Sequence, residues 1–361
     1  MRKINSSFWQ GKRVLITGHT GFKGTWLTLL LSKLGSKIFG LALPALDKSL
    51  FTQSHATDLI ENRDKHFCDI SDFNSVRQLI LECKPDIVIH MAAQPLVIKS
   101  YQDPRETWQT NVMGTVNVLT SLLEIDKQCS AIVVTTDKVY SQNFNESTFT
   151  EDSIVGGIDP YSASKAACEF VAESFDKSFF RTNDNYSNIS ISTVRAGNVI
   201  GGGDWSPNRI IPDFVNACHE KKTLYLRNPL SVRPWQHVLE PLCGYLLLAE
   251  SLYNSDDNQI PSAFNFGPTE NVSATVIDLI NTSRMYWPNS CSVEVSQNDG
   301  YHEAAALMID STLATQKLDW APKWNFKTTI EKTVLWYYKL LVEQSSAIDL
   351  CYEDISIYLN H

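Results

Sequence analysis

The chain has 361 residues, 43% hydrophobic and 20% charged, with a formal net charge of −9. That is the profile of a water-soluble globular protein with a real core; it excludes a general nucleic-acid binder, which needs a basic face, and no apolar run reaches the length of a membrane span. The eight cysteines show no Cys-x-x-Cys and no zinc spacing, and Met1 to Gly11 carries no signal-peptide core, so reduced thiols, no bound metal and a cytoplasmic location are expected.

Arg13 to Thr17 reads as a short buried strand. Gly18-His19-Thr20-Gly21-Phe22-Lys23-Gly24 follows at once, and Thr25 to Leu34 is apolar at helical spacing until Gly35. Strand, glycine turn and helix in that order suit a dinucleotide pyrophosphate, because glycines let the backbone approach and the helix N-terminus offers free N–H groups. A second strand, Lys37 to Leu41, ends in Ala42-Leu43-Pro44 with no acid for a ribose and no basic cluster for a 2′-phosphate. The residues alone leave NAD and NADP open. Asp69, with Ile70, is either a partner for an adenine ring or part of a helix cap ahead of Ser71 and Asp72.

Asp86 to Met91 is the next buried strand, followed by the small residues Ala92 and Ala93 and by Gln94. The pattern predicts a helix over Trp108 to Leu123, beginning near Asn111, whose side chain is expected to fix the helix that carries Lys165. Ala131 to Thr135 is a strand whose C-terminal end reads Thr135-Thr136-Asp137-Lys138. In a doubly wound sheet, chemistry collects at that edge. Asp159 then caps a helix with Pro160 in its first turn, placing Tyr161 and Lys165 on one face. An ammonium beside a phenol favours phenolate, so Tyr161 is expected to act as a general base for an alcohol.

Ser190 to Ala196 is a further strand, ending in the glycine-rich stretch Gly197 to Trp205, and Pro207 to Pro212 opens a helix. Arg227, Arg233, Trp235 and His237 follow, and arginines at this position suit phosphates. A helix over Glu240 to Leu252, a strand over Ala263 to Phe266, an α+β tail and a last main helix over Thr328 to Gln344 complete the reading; Ser345 to His361 reads as a short extra helix or tail. The expected fold class is α/β: a doubly wound parallel sheet with a smaller α+β substrate domain. Its expected division is 1–199 and 233–270 for the dinucleotide, 200–232 and 271–345 for the substrate, and 346–361 as the tail.

From about Lys12 to Tyr338 the chain resembles the extended short-chain dehydrogenase/reductases that act on nucleotide sugars. The turn Gly18 to Gly24, TTDKVY (Thr135 to Tyr140), DPYSASK (Asp159 to Lys165), RAGNVIGGGDW (Arg195 to Trp205), RPWQHVLEPL (Arg233 to Leu242) and GYHEA (Gly300 to Ala304) carry the resemblance. It implies a Rossmann fold with NAD held by Gly18, Thr20, Gly21, Phe22, Lys23, Gly24, Asp69, Ile70, Ala92, Ala93, Tyr161 and Lys165. It further implies a Thr136/Tyr161/Lys165 triad, Asp137 and Lys138 as the acid/base pair of a 4,6-dehydratase, and Gln94, Asn198, Arg209, Arg233, His237 and Tyr301 around the substrate. The substrate so implied is CDP-glucose and the assembly a homodimer or larger homo-oligomer. Another nucleotide-sugar dehydratase, a 4-epimerase or a non-catalytic dinucleotide sensor on the same scaffold are the alternatives.

Overall fold

The computed structural model describes residues 1–64, 66–141, 148–181, 188–255, 260–268, 274–295 and 308–360. Strands β1 (Arg13–Thr17), β2 (Lys37–Leu41), β3 (Ile87–His90), β4 (Cys129–Val134), β5 (Ile189–Ala196) and β6 (Ala263–Phe266) form one sheet in the order β2-β1-β3-β4-β5-β6. Every pairing in it is parallel. The strands are almost continuously apolar because both faces are covered. Val14, Ile16, Ile87, Ile89, Ile132 and Val134 point into one hydrophobic cluster. Leu15, Val88, Ala131 and Val133 point into the other. Each fully buried aliphatic side chain of this kind stabilises the fold by about 1.5–3 kcal/mol.

The first face is covered by α1 (Phe22–Lys33) and the second by α2 (Phe73–Cys83). From β2 the chain makes one further parallel rung, Ala42 to Phe67, and then crosses back to β3 on the other side of β1. Thr17 therefore faces Leu41 on one side and His90 on the other. The crevice at the C-terminal ends of β1 and β3 is the topological switch point, where doubly wound sheets bind ligands.

Helix α3 (Pro104–Trp108) starts earlier than the apolar pattern suggests. Asp103 caps it, accepting from Glu106 N at 2.9 Å, and Pro104 suits its first turn. A π-helical turn, Gln109–Met113, joins it to α4 (Gly114–Leu122). Helix α5 (Pro160–Phe175) begins as its cap signal predicts. Ser162 N donates to Asp159 Oδ1 at 2.9 Å, and Asp159 N donates to Ser162 Oγ at 3.1 Å. Further on lie α6 (Ile210–His219), α7 (Leu239–Asn254) and α8 (Phe326–Leu341).

The supposed tail is a full helix, α9 (Ala347–Asn360). It packs against α1, with Cys351 and Ile355 fully buried. Tyr358 Oη donates to the carboxylate of Glu240, which also accepts Trp324 N at 2.8 Å. Glu240 is wholly buried. Among the described residues no helix is long and apolar enough to cross a membrane. All eight cysteines are free and seven of them are buried.

Candidate active site

The glycine turn sits directly against the segment that follows β3. Gly18 has φ +76°, and a Cβ there would lie 2.8 Å from Ala92 N. A Cβ on Gly24 would lie 2.2 Å from Gly18 O. Both positions therefore exclude a side chain. Gly21 caps α1 without any side-chain hydrogen bond to the first turn, so the leading N–H groups of α1 are left for an anion. Thr20 donates to Leu43 O at 3.0 Å. Thr17 Oγ1 accepts Ala92 N at 3.0 Å, which holds the half-buried Ala92 and Ala93 at the crevice. The partly buried Phe22 faces Gly201 of the glycine-rich loop after β5, and Trp26 Nε1 donates to Gly202 O at 2.9 Å. That loop is thereby laid onto the cofactor helix.

Asp69 is exposed and accepts Ser71 N at 2.9 Å, while Asp72 is the cap of α2. Ile70 is buried against Gly114 of α4. Asn111, at the π-helical turn, is buried. It accepts Gln94 N at 2.7 Å and donates to Ser164 Oγ at 2.8 Å. Asn111 thus ties the β3 crevice to α5, one residue from Lys165, as its expected role requires.

Thr136, Asp137 and Lys138 follow β4, and Tyr161 and Lys165 face them from α5. Thr136 donates to Asp137 Oδ1 at 3.0 Å and also hydrogen-bonds the Tyr161 phenol. Lys165 Nζ donates to Val134 O at 2.9 Å. Asp137 is 2% exposed, and its Oδ2 is buried without a partner. Burial raises the Asp137 pKa; Lys138, the Thr136 bond, Lys23 and Arg233 oppose the shift. Burial of a carboxyl with one oxygen unpaired favours its acid form, the form that can donate a proton.

Tyr161 departs from its sequence expectation. Burial pushes its pKa up to about 12, and Asp137 adds to the effect, against the Thr136 bond and Arg209. Lys165 has its ammonium engaged by a carbonyl and its own pKa lowered by burial. The Thr136 bond and the Arg209 charge favour phenolate here. Lys23 belongs to the same cluster. Burial and the charges of Arg209 and Lys165 bring its pKa down to about 8 against Asp137 and Asp204.

Arg209 is the N-cap residue of α6 and pairs with Asp204 at 2.8 Å. Asn198 O accepts Gln236 N at 3.0 Å, and Arg233 is half-buried with Nη1 on Val232 O at 2.9 Å. Two residues expected at the substrate, His237 and Gln94, are buried within the chain. His237 is fully buried between Trp26 and Trp324, with Nδ1 accepting Leu239 N at 3.3 Å. Its place is the core, and burial drops its pKa to about 3. Gln94 uses its amide within the chain: Nε2 donates to Thr107 Oγ1 at 3.0 Å and Leu96 O at 3.1 Å, and Oε1 accepts Leu96 N at 2.7 Å. These bonds shape the turn after β3. Tyr301 and the GYHEA stretch lie outside the described residues. Sequence reasoning missed Glu169 and Asp204; the spacing of Glu169, one turn past Lys165 on the same face, was the available signal.

The family model for GDP-mannose 4,6 dehydratase matches residues 15–333. The chain is 40% identical over 359 residues to the CDP-glucose 4,6-dehydratase of Salmonella typhimurium (strain LT2), covering 99% of each. It is 26% identical over 333 residues to the human dTDP-D-glucose 4,6-dehydratase, covering 90% of each. Among solved structures, the UDP-glucose 4-epimerase of Thermotoga maritima shares the fold at TM-score 0.75 and 20% identity, over 91% of this chain and 99% of that one.

Proposed function

The chain belongs to the GDP-mannose 4,6-dehydratase family, and from that we propose that it converts CDP-D-glucose to CDP-4-dehydro-6-deoxy-D-glucose with NAD as cofactor. The observation that carries the substrate is the end-to-end match at 40% identity to a CDP-glucose 4,6-dehydratase. The reaction oxidises C4, expels water across C5 and C6, and reduces C6, with no net redox change.

NAD supplies the acceptor, and then the donor, of the hydrogen that C4 loses and C6 gains. The residues fit it: the uncapped first turn of α1 and the side-chain-free positions Gly18 and Gly24 suit the pyrophosphate. Ala92, Ala93 and Ile70 line the crevice beside it, and Lys165 and Tyr161 stand at its far end. Tyr161 takes the proton of the 4-hydroxyl, with the Thr136 hydroxyl beside the phenolic oxygen. Once C4 is a ketone, the C5 hydrogen is acidic, and Lys138 removes it. Asp137, whose pKa burial raises, gives its proton to the departing 6-hydroxyl. Arg209, Arg233 and Asn198 are assigned to the nucleotide diphosphate and sugar, within a substrate side formed by 200–232 and 271–345. The eight free cysteines suit a reducing cytoplasm.

The test is product mass. Incubation with CDP-glucose and NAD should yield a nucleotide sugar lighter by one water. Water loss from dTDP-glucose, UDP-glucose or GDP-mannose in preference to CDP-glucose would reassign the substrate, and a changed sugar at unchanged mass would mark an epimerase.

We also assign a homodimer to the face made by α3, the π-helical turn and α5, where Trp108, Met113 and Phe170 are 42%, 49% and 56% exposed. Three large apolar side chains on adjoining helices suit a helix-on-helix contact between copies. A Trp108→Glu/Phe170→Glu double variant should sediment at monomer mass where the native chain sediments as a dimer. An unchanged dimer would move the interface elsewhere.

A further inference from the structure

Behind the acid–base pair lies a buried ion pair that the reaction scheme does not use. Glu169 sits on α5, one turn past Lys165 and two past Tyr161. Its carboxylate accepts Arg195 Nε and Nη2 at 3.0 and 2.9 Å. It also accepts the hydroxyl of Thr193 at 2.5 Å and that of Thr135. Arg195, on β5, donates through Nη1 to Tyr140 Oη at 2.8 Å and to Glu151 O at 3.2 Å. Tyr140 Oη in turn donates to Asn265 Oδ1 at 2.7 Å. Glu169 and Arg195 are 7% and 4% exposed, and Tyr140 not at all.

Thr135 and Tyr140 are the two ends of one short segment, and its middle is Thr136, Asp137 and Lys138. Glu169 grips one end and Arg195 the other, and the pair bridges α5 to β5. We propose that Glu169 and Arg195 are positioning residues for the loss of water: a strut that spans the segment and aims Asp137 and Lys138 at the sugar held by Tyr161. This rests on the dehydratase reading above.

The geometry separates two steps. Oxidation at C4 rests chiefly on Tyr161 and Lys165, which α5 itself carries and which the Asp159 cap and the Asn111–Ser164 bond hold, with Thr136 of the segment as an auxiliary on the phenol. Water loss needs Asp137 and Lys138, and the strut ties both ends of their segment to that helix through side chains. A misplacement on the order of 1 Å costs as much as about 100-fold in rate. A buried ion pair adds little net stability over an apolar pair, so a role in fixing geometry accounts for its retention.

Thr135→Val and Tyr140→Phe each delete a single hydroxyl and leave the ion pair intact, so both variants keep the core volume. Single-turnover experiments with CDP-glucose deuterated at C4 read the two steps separately, as loss of the label from C4 and as loss of water by mass. Each variant should keep label loss within about 2-fold of the native rate and slow water loss by about 10-fold or more, with its melting temperature retained. Glu169→Asp, which keeps the charge and shortens the reach, should show the same split. Variants that slow both steps equally, or neither, would overturn the strut while the native chain still dehydrates its substrate. A native chain that removes no water from any nucleotide sugar would overturn the dehydratase reading and the strut with it.

Discussion

In Tyr161→Phe, a deuterium placed at C4 of CDP-glucose should stay where it is. Removal of the phenolic oxygen takes away the group assigned to accept the 4-hydroxyl proton, and a positioned general base contributes about 10²–10⁴-fold. Oxidation at C4 should slow by that factor, and no later step can proceed without the ketone. The ring remains to fill its place at 9% exposure, so folding should be unaffected and the melting temperature close to native. The native enzyme should pass the label from C4 to C6. Tyr161→Phe turning over at the native rate would remove Tyr161 from the reaction; label washed out into solvent in the native enzyme would contradict internal return.

Asp137→Asn should part the two halves of the reaction. Asparagine keeps an oxygen for the Thr136 hydroxyl, now at 3.0 Å, so the shape of the turn survives. It cannot supply a proton to the leaving 6-hydroxyl. Oxidation at C4 should stay within a few-fold of native, water loss should fall about 10²–10³-fold, and the C4-oxidised, undehydrated sugar should accumulate. The pH profile gives a second reading. Burial raises the Asp137 pKa, so the acid form persists at pH values where an ordinary carboxyl is already ionised. Water loss in the native enzyme should therefore decline on the alkaline side as Asp137 gives up its proton. That limb should vanish in the asparagine variant, whose residual rate no longer follows this group. A native rate of water loss in Asp137→Asn would remove Asp137 as the acid.

These two variants touch the part of the site that local signals made readable. The order strand, glycine turn, helix over Arg13 to Lys33, the position of Thr136 to Lys138 at the end of β4, and the Asp159 cap ahead of Tyr161 each depend on residues close together in the chain. Periodicity and capping are local, so the sequence displays them. The same locality explains the misplaced start of α3, where the apolar pattern hid the Asp103-Pro104 cap.

The burial of His237 and Gln94 was hidden for the opposite reason. Whether a side chain faces a cleft or the core depends on partners distant in the chain in the first case, Trp26 and Trp324, and on Thr107 across a turn in the second. The phenol of Tyr161 belongs with them. Its charge environment is a sum over burial, Thr136, Asp137 and Arg209, and the Lys165 four residues away contributes less than its spacing suggests, because Val134 O holds its ammonium.

From the residues alone come the parallel α/β architecture, the glycine turn ahead of α1 and the candidates Thr136, Asp137, Lys138, Tyr161 and Lys165, since hydrophobic period and motif spacing are properties of neighbouring residues. Tertiary contacts alone decided that Asp137 is buried with an oxygen unpaired, that α9 braces the cofactor helix, and that Glu169 and Arg195 span the segment between Thr135 and Tyr140. Burial, charge and hydrogen-bond partners are set by which distant segments meet.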